Sequence, residues 1–306
     1  MPAWRPEIDV DEALVRELLE AQFPDLDSSS LRRLGAGWDN VVWVVEERWV
    51  FRFPHRAIAV SLVERELAVL PRLAPLLPVA VPAPVFVGRP GESYPWPFFG
   101  TPLLPGREPA DADLSEQDRT ALGAELGRFL RVLHAPASRE AVDPQGALPV
   151  DPNRRADMQA RVEIARRWLG ELESLGWQSA STDVERLFGS ALDLGPASAD
   201  AVVHGDLHVR HVLVEDGRLS GVIDWGDVCR ADPAVDLSLV WSLLTPAGRD
   251  EFLREYGPVA VDQALRARVL GVSLCAALAA YGRHEGHPRL ERESLAGLRR
   301  ALGEEL

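Results

Sequence analysis

The stretch VVHGDLHVRHVLVEDGRLSGVIDWGD, residues 202–227, carries the most informative pattern in this chain of 306 residues. Two short apolar runs, His211–Glu215 and Ser220–Ile223, flank an Asp-Gly pair, which favours a tight turn between two antiparallel strands. Asp206 precedes the first run, and Asp224 follows the second. Because the two ends of a hairpin lie side by side, we expect both carboxylates at one edge of it.

The N-terminal part of the chain predicts a small unit rich in β-structure. The segment Leu31–His55 contains β-branched and aromatic runs separated by a short polar break, which is typical of antiparallel strands. A helical pattern follows in residues 61–75, and a connector rich in proline and glycine occupies Tyr94–Gly106. We place the boundary there, so that residues 1–100 form an N-terminal lobe and residues 101–306 form a C-terminal lobe.

Beyond this boundary the apolar residues recur mainly at helical spacing. Ser115 stands at the N-cap position of one such helix, two more helical stretches are expected within residues 151–194, and helix returns after residue 232. The stretch Ala135–Pro152 is rich in alanine and proline and is predicted to be a surface loop. The predicted fold class is therefore α+β, with a small, mainly antiparallel β lobe and a larger, mainly helical lobe.

Composition limits the classes of function. The net charge of −14 argues against a nucleic-acid partner, because phosphate backbones bind basic surfaces. The same charge suits a cationic small-molecule substrate, although acidity also serves solubility alone. The two cysteines lack the spacing of a zinc site, no signal-peptide pattern opens the chain, and we find no apolar run of membrane-spanning length. These features predict a cytoplasmic protein without a membrane partner.

The spacing of His204, Asp206 and His211, followed by Asp224 in an Ile-Asp pair, resembles the H-x-D-x-x-x-x-N and I-D motifs of the aminoglycoside phosphotransferase family. This family is a branch of the protein-kinase-like fold. The likeness covers most of the chain but is highly specific only in residues 204–236. It implies a two-lobed kinase-like fold and transfer of the γ-phosphate of ATP or GTP, with Mg²⁺, to a hydroxyl of a small molecule.

The resemblance also implies roles for single residues. Asp206 matches the catalytic aspartate that accepts a hydrogen bond from the acceptor hydroxyl, and Asp224 matches the aspartate that binds magnesium. His211 stands where the family usually has asparagine, and we expect it to be the second metal ligand; a core histidine without metal is the alternative. Two branches, the aminoglycoside 2''-phosphotransferases and the macrolide phosphotransferases, tend to carry histidine there. His204 is expected to hold the loop by hydrogen bonding.

Three further aspartates extend this acidic segment. Asp227 has two open roles, support of the metal site or contact with a cationic substrate. Asp232 and Asp236 resemble the D-P-x-x-D motif of the family, in which the acids mainly hold the catalytic loop and cap the next helix.

The N-terminal lobe is expected to bind the nucleotide. Gly35 and Gly37 lie in a turn where backbone N–H groups can face phosphates without an intervening Cβ. In kinases a strand lysine pairs with a helix glutamate; here the matching residues are Arg52 and Glu66, with Glu64 as the less favoured partner. This chain has no lysine, so arginine in that position is unsurprising. The kinase hinge is expected at Phe98–Leu104 within the connector, with three residues contacting the nucleotide: Phe98, Phe99 and Gly100.

Several functions remain open from the sequence. The stretch from Gly35 through Trp38 to Asn40 resembles the 2''-aminoglycoside branch more than the macrolide branch, so an aminoglycoside is the first expected acceptor. A macrolide or a metabolite alcohol such as homoserine, choline or a sugar is the alternative. A nucleotide-binding scaffold without turnover is motivated by Arg52 and His211, and the two retained aspartates of the motif argue against it.

Overall fold

The structure is a computed structural model that describes residues 6–37, 39–178 and 181–303. The chain divides into two compact units. The first unit comprises Met1–Pro75 and Ala80–Leu104, and the second comprises Leu76–Val79 and Pro105–Leu306. The first unit is mainly β-sheet and the second is mainly helical, which confirms the predicted α+β, two-lobed class.

The first unit contains one antiparallel sheet of five strands in the order β1-β2-β3-β5-β4. Its strands are β1 (Leu31–Ala36), β2 (Asn40–Val45), β3 (Trp49–Pro54), β4 (Phe86–Gly88) and β5 (Phe98–Pro102). Its helices are α1 (Glu12–Gln22) and α2 (Val60–Leu73), the second preceded by a 3₁₀ turn at Ala57–Ala59. The core lies where α1 packs on the sheet, and it includes Val15, Leu19 and the rings of Phe51 and Phe53.

The second unit contains eight helices among the residues that the structure describes. They are α3 (Glu116–Leu133), α4 (Pro136–Val142), α5 (Met158–Ser174), α6 (Ser181–Leu192), α7 (Ala234–Leu243), α8 (Pro246–Tyr256), α9 (Val261–His284) and α10 (Pro288–Leu302). Two antiparallel pairs interrupt them: β6 (Ala201–Val203) with β9 (Cys229–Ala231), and β7 (Val212–Glu215) with β8 (Arg218–Val222). Ser115 caps α3 in a full capping box with Asp118, as its position predicted.

Helix α4 corrects one expectation. The stretch Ala135–Pro152 was predicted to be a loop, but Pro136–Val142 is helical. Proline at the first position of a helix loses no hydrogen bond, because the first backbone N–H groups have no partner inside the helix. The Ser138 hydroxyl also donates to the Val132 carbonyl at 2.6 Å, which ties the start of α4 to the preceding helix.

Helix α9 corrects a second expectation. By length and composition this helix satisfies the criteria for a membrane span, whereas the sequence analysis found no such run. Its most apolar window is 61% buried inside the protein, and the helix packs against α5, α7 and α10. Burial of this kind is what the core helix of a folded domain shows.

The β7–β8 pair is fastened to α3. Glu125 accepts the backbone N–H of Leu219 at 2.7 Å and also pairs with the guanidinium of Arg218. Gly217 in the turn lies so close to Asp118 that a Cβ there would overlap the carboxylate. The hairpin that bears the sequence motif is therefore held against a long helix.

Candidate active site

The β7–β8 hairpin has the turn that the sequence predicts. Asp216 and Gly217 both have positive φ, 48° and 73°, as a type I′ turn requires. The strand pairing runs in register up to a single irregularity beside the turn. Asp206 comes before one strand and Asp224 after the other, so the hairpin brings these two aspartates to its open end.

His204 ties the segment before the hairpin to the segment after it. Its Nε2 donates to the Ile223 carbonyl at 2.9 Å, and its Nδ1 accepts the Asp206 N–H at 3.2 Å. Burial lowers the pKa of His204 below its ordinary value, so the ring is neutral near pH 7. These contacts agree with the expected role of His204 in holding the loop.

Asp236, at the start of α7, accepts hydrogen bonds from the backbone of the same loop. Its two carboxylate oxygens accept the N–H groups of His204 and Gly205 at 2.8 and 3.1 Å. His134 contributes a third contact to this carboxylate at 3.1 Å. Asp232 accepts the N–H of Ala234 and fixes the entry to the helix. Both aspartates therefore stabilise the loop and the helix start, as their motif implies.

His211 lies between Asp206 and Asp224. Its Nδ1 donates to the Asp206 carbonyl at 2.8 Å, so in the neutral ring Nε2 carries a lone pair. This Nε2 faces the Asp224 carboxylate at 3.4 Å. Two acceptors at this separation fit a cation between them, and the carbonyl contact is the support that a metal-bound histidine usually has.

The donor set at this position suits a divalent cation. Carboxylate oxygen is the ligand that Mg²⁺ prefers, and imidazole nitrogen is a softer ligand. Asp224 has a φ of 65°, in the left-handed region that residues other than glycine rarely adopt. Such backbone strain persists where the surrounding structure enforces it, and it is common at functional sites.

The sequence analysis missed His208, which stacks on His211 with ring centres 3.8 Å apart. Ligand atoms of Asp206, His208 and His211 lie within 4.8 Å of one another, as in a metal cluster. However, His208 Nδ1 accepts the Arg210 N–H at 3.2 Å, so its Nε2 carries the proton and points to Asp206 as a donor. Burial lowers the pKa of His208 to about 3, which keeps the ring neutral. His208 is thus a neighbour of Asp206 and is unsuited to bind a metal through Nε2.

The sequence analysis also missed Arg155, which precedes α5 in an irregular segment. One guanidinium nitrogen, Nη1, bonds Asp206 Oδ1, and the other, Nη2, donates to Asp227 Oδ2 at 2.7 Å. Asn153 donates to the second oxygen of Asp227 at 3.3 Å. Asp227, for which the sequence left two roles open, is therefore a partner of arginine in this structure.

The charge state of Asp206 is set by the side chains around it. Burial alone raises the pKa of its carboxyl, but His208, which is protonated at the low pH where this carboxyl titrates, and the cationic Arg155 lower the pKa and outweigh burial. The pKa of Asp206 consequently lies well below its usual range, and the group is ionised at every physiological pH. An ionised, partly enclosed carboxylate can accept a hydrogen bond from a hydroxyl.

In the first unit, the glycines of the predicted phosphate turn lie at the β1–β2 connection. Gly35 belongs to β1 beside a register shift, and the Gly37 N–H donates to the Asn40 carbonyl at 2.9 Å. A Cβ at Gly35 would meet no described atom within 4 Å, so packing does not require glycine here. Trp38, which belongs to the same motif, lies outside the described residues.

The structure pairs Arg52 on β3 with Glu66 on α2. Their side chains meet at 3.1 Å, and they are 13% and 1% exposed. Glu64, the less favoured candidate, is exposed on the same helix. The expected strand–helix ion pair is thus present, with the partner that the spacing favoured.

Phe98, Phe99 and Gly100 lie on β5, which pairs with β3 on one edge and with β4 on the other. Both rings are fully buried, and a Cβ at Gly100 would overlap the ring of Phe51. Sheet pairing on two edges engages the backbone of these residues. The exposed part of the connector begins just after them, at Pro102.

The class of protein follows from the comparison with known families. The family described as "Phosphotransferase enzyme family" matches residues 30–271, and the chain therefore belongs to this family. Among curated relatives, viomycin phosphotransferase from Streptomyces vinaceus is 37% identical over 128 residues, which cover 36% of this chain and 44% of that protein. An aminoglycoside 3'-phosphotransferase from Escherichia coli is 34% identical over 89 residues, 28% of this chain and 31% of that protein. The chain thus matches less than half the length of these curated relatives.

Solved structures show the same fold over nearly the whole chain. The GDP complex of aminoglycoside 2'-phosphotransferase-IIIa superposes with a TM-score of 0.67 at 21% identity, over 97% of this chain and all of that one. Macrolide 2'-phosphotransferase MphH from Brachybacterium faecium gives a TM-score of 0.61 at 23% identity, over 93% of this chain and 97% of that one. The resemblance stated from the motifs is confirmed.

Proposed function

We propose that this protein is a magnesium-dependent phosphotransferase that moves the γ-phosphate of ATP or GTP to a hydroxyl of a small molecule. The observation that carries the proposal is the arrangement at the open end of the β7–β8 hairpin. The carboxylate of Asp206 is held ionised there, and His211 links its backbone to Asp224 through contacts of 2.8 and 3.4 Å. Phosphoryl transfer needs mainly positioning and charge stabilisation, and this arrangement offers both.

Asp206 is the residue that acts on the acceptor. Its carboxylate accepts a hydrogen bond from the acceptor hydroxyl and directs the oxygen lone pair toward the phosphorus. It takes up the proton as the new P–O bond forms. A low pKa suits the first task better than the second, so orientation of the hydroxyl is its main contribution.

Asp224 and His211 are the residues that would hold Mg²⁺. The ion, when bound, neutralises charge on the phosphate oxygens. Asp224 provides the hard carboxylate ligand, and His211 keeps its ring oriented through the Asp206 carbonyl. The alternative, a core histidine without metal, predicts that His211→Ala, which removes the possible ligand, leaves magnesium dependence unchanged.

The nucleotide is assigned to residues of the first unit. The turn that contains Gly35 and Gly37 lets phosphates approach the backbone without an intervening Cβ, and Arg52, oriented by Glu66, offers its guanidinium. For the purine edge we favour the backbone of the connector that follows β5, because sheet pairing engages Phe98, Phe99 and Gly100. Those three residues then support the connector from within the sheet.

The acceptor is proposed to be an aminoglycoside or a related basic antibiotic. The net charge of −14 suits a polycationic acceptor, and curated relatives are named for viomycin and aminoglycosides. A macrolide is the second candidate, supported by the likeness to MphH. Two buried, unpaired thiols fit a reducing compartment, so we place the reaction in the cytoplasm. The net charge of −14 argues against a nucleic-acid partner, and the burial of α9 argues against a membrane partner.

A transfer assay tests the proposal directly. The full chain is incubated with Mg²⁺ and either ATP or GTP, together with kanamycin, gentamicin, streptomycin, viomycin, a macrolide, homoserine or choline, and phosphorylated product is detected by mass spectrometry. We expect phosphorylation of at least one basic antibiotic. Asp206→Asn is expected to abolish it, whereas Asp216→Asn, at the exposed turn of the same hairpin, retains it. Nucleotide-induced thermal stabilisation without transfer to any acceptor would favour the scaffold instead.

A further inference from the structure

We propose that Arg155 is a positioning residue for the catalytic base, and that Asp227 and Asn153 complete a clamp that fixes the carboxylate of Asp206. This inference rests on the proposed function, because it gives the clamp its purpose. The sequence motifs assign no role to Arg155 or Asn153, and the two roles that they leave open for Asp227 differ from this one.

The backbone that carries Arg155 is anchored on three sides. The two carboxylate oxygens of Asp151 accept the N–H groups of Arg155 and Ala156 at 2.7 and 2.8 Å. Arg266, a buried residue of α9, donates to the Ala156 carbonyl at 3.0 Å. The Asp151 N–H in turn donates to the carbonyl of Arg230 on β9 at 2.9 Å. An irregular segment is thus held in one place, which lets it present a side chain accurately.

The guanidinium of Arg155 then reaches two carboxylates at once. The side chain is 14% exposed, and the carboxylates of Asp206 and Asp227 are 23% and 24% exposed. Arginine is the side chain suited to this task, because its planar fork directs two donors in fixed directions. Asn153 donates to Oδ1 of Asp227, the oxygen that Arg155 does not contact. The series of contacts from Asp206 through Arg155 and Asp227 therefore ends on a neutral amide.

The two carboxylates come within reach of one guanidinium because the backbone segments that carry them touch. A Cβ at Gly205 would overlap the Asp227 carbonyl oxygen, so only glycine permits this approach. Gly205 also has a φ of 89°, which glycine adopts without strain. The residue before the catalytic aspartate therefore sets the spacing of the clamp.

The clamp gives the two oxygens of the Asp206 carboxylate different contacts and therefore different roles. Oδ1 is engaged by Arg155, and Oδ2 lies 3.6 and 3.8 Å from the ring nitrogens of His208 and His211, beyond hydrogen-bond length. Oδ2 is thus the oxygen that faces an acceptor hydroxyl. Arg155 fixes the carboxylate plane, which keeps Oδ2 in the direction that the transfer requires.

The test compares Arg155→Ala with Arg154→Ala, its neighbour in sequence, whose side chain is 69% exposed and pairs with Asp157. Formation of ADP from ATP, or of GDP from GTP, is measured with each acceptor of the panel and with water alone. We expect Arg155→Ala to lower kcat about 10- to 100-fold with an unchanged KM for the nucleotide, as loss of a supporting residue does. Arg154→Ala is expected to keep the wild-type kcat.

Chemical rescue separates positioning from folding. Guanidinium ion at millimolar concentration is expected to restore part of the kcat of Arg155→Ala, because it can occupy the vacated space between the two carboxylates. It is not expected to restore Asp206→Asn. Asp227→Asn should lower kcat by a smaller factor, and its effect should not add to that of Arg155→Ala, since both break one chain of contacts.

The outcomes distinguish the two claims. Wild-type protein that transfers phosphate neither to the panel nor to water overturns the proposed function and, with it, the role of Arg155. Wild-type turnover that survives Arg155→Ala unchanged overturns the role of Arg155 alone. A loss of kcat that guanidinium does not restore, accompanied by a lowered melting temperature, also overturns it, because Arg155 would then act only in folding.

Discussion

Two arginines, one in each unit, are equally buried and yet are held in different ways. Arg52 is 13% exposed and Arg155 is 14% exposed. Arg52 extends from a strand to a glutamate on the next helix, 14 residues away. Arg155 extends from an irregular segment to carboxylates 51 and 72 residues away. The position of the Arg52 side chain follows from the regular spacing of the strand and helix that carry the ion pair. The position of the Arg155 side chain depends on tertiary hydrogen bonds alone.

This difference also separates two tasks. In the proposed function, Arg52 binds the nucleotide and Arg155 orients the base that meets the acceptor. A nucleotide contact acts mainly on KM for the nucleotide, and a residue that orients the base acts mainly on kcat. The following experiments sharpen or break this contrast.

The largest effect is expected from the carboxylate that Arg155 holds. Asp206→Asn removes the charge and the base while it keeps the size of the side chain, and kcat should fall about 10²- to 10⁴-fold. Steady-state kinetics with the best acceptor of the panel measures the loss. The matched control Asp216→Asn should remain within a factor of about two of wild type, because an exposed turn residue affects stability by only about 0.5 kcal/mol. Equal kcat in the two variants would show that Asp206 is not the base, and the proposed difference between the two arginines would then fail.

The next effect concerns glycines in the two regions. Gly205→Ala combines a left-handed backbone with overlap against Asp227, and we expect it to lower the free energy of unfolding by about 3 kcal/mol. Gly176→Ala has a similar φ, 93°, and no described atom near the added Cβ, so it measures the backbone cost alone, about 1 kcal/mol. Denaturant unfolding of the variants gives these values.

Gly35→Ala is the counterpart in the first unit. Its added Cβ meets no described atom within 4 Å, so stability should change by less than about 0.5 kcal/mol. The KM for ATP or GTP should nevertheless rise if phosphates approach this backbone. A stable variant with an unchanged KM would remove Gly35 from the nucleotide site.

A smaller effect is expected from Arg52→Ala. Loss of one charge-assisted contact to phosphate should raise KM for the nucleotide about tenfold, which corresponds to about 1.4 kcal/mol. The expected change in kcat is small, in contrast to Arg155→Ala. Arg48→Ala, an exposed arginine near the same strand, is the control and should leave KM unaltered. If Arg52→Ala and Arg155→Ala changed the same kinetic parameter, the two arginines would share one task.

The smallest effect uses alkaline pH to compare the two units. Both cysteines belong to the second unit, and burial raises the pKa of the Cys275 thiol from its ordinary 9.0 to about 12. A thiol with a raised folded pKa stabilises the fold fully below pH 9, and this contribution is lost as pH rises toward 12. The chain has no lysine, and tyrosine titrates near pH 10, so thiols dominate just above pH 9.

Hydrogen exchange resolved by unit measures this pH effect. Amides of the second unit should lose protection between pH 9 and 10, by up to about 1.4 kcal/mol per thiol and pH unit. Cys275→Ala should reduce the loss of protection per pH unit in the second unit. The pH dependence of amide protection in the first unit should stay the same. Equal slopes in both units would show that the alkaline response does not come from the thiols.

The parts of the site that the sequence predicted share one property. Asp206, His211 and Asp224 are placed by a hairpin whose turn is encoded locally, and Arg52 and Glu66 are placed by a strand and the next helix. In each case the distance along the chain between neighbouring elements is short, so periodicity and turn chemistry suffice. The same argument explains why the strands within Leu31–His55 and most helices were predicted correctly.

The parts that the sequence did not predict depend on distant contacts. Arg155 stands in a segment without periodicity, and its role depends on Asp151 and Arg266, which no local pattern connects to it. His208 carried a visible signal, two residues after Asp206, but its proton position depends on the Arg210 N–H. Phe98 and Phe99 were expected in a connector but lie in β5, and the pairing of this strand on both edges could not be read from their spacing.

The division of the chain has a consequence for recombination between relatives. Residues Leu76–Val79 belong to the second unit, although sequence of the first unit stands on both sides of them. A hybrid gene joined at residue 104 would therefore import four residues that evolved with a different helical body. An exchange that keeps the recipient's residues 76–79 needs three junctions, so a single crossover cannot exchange the first unit without also exchanging these four residues.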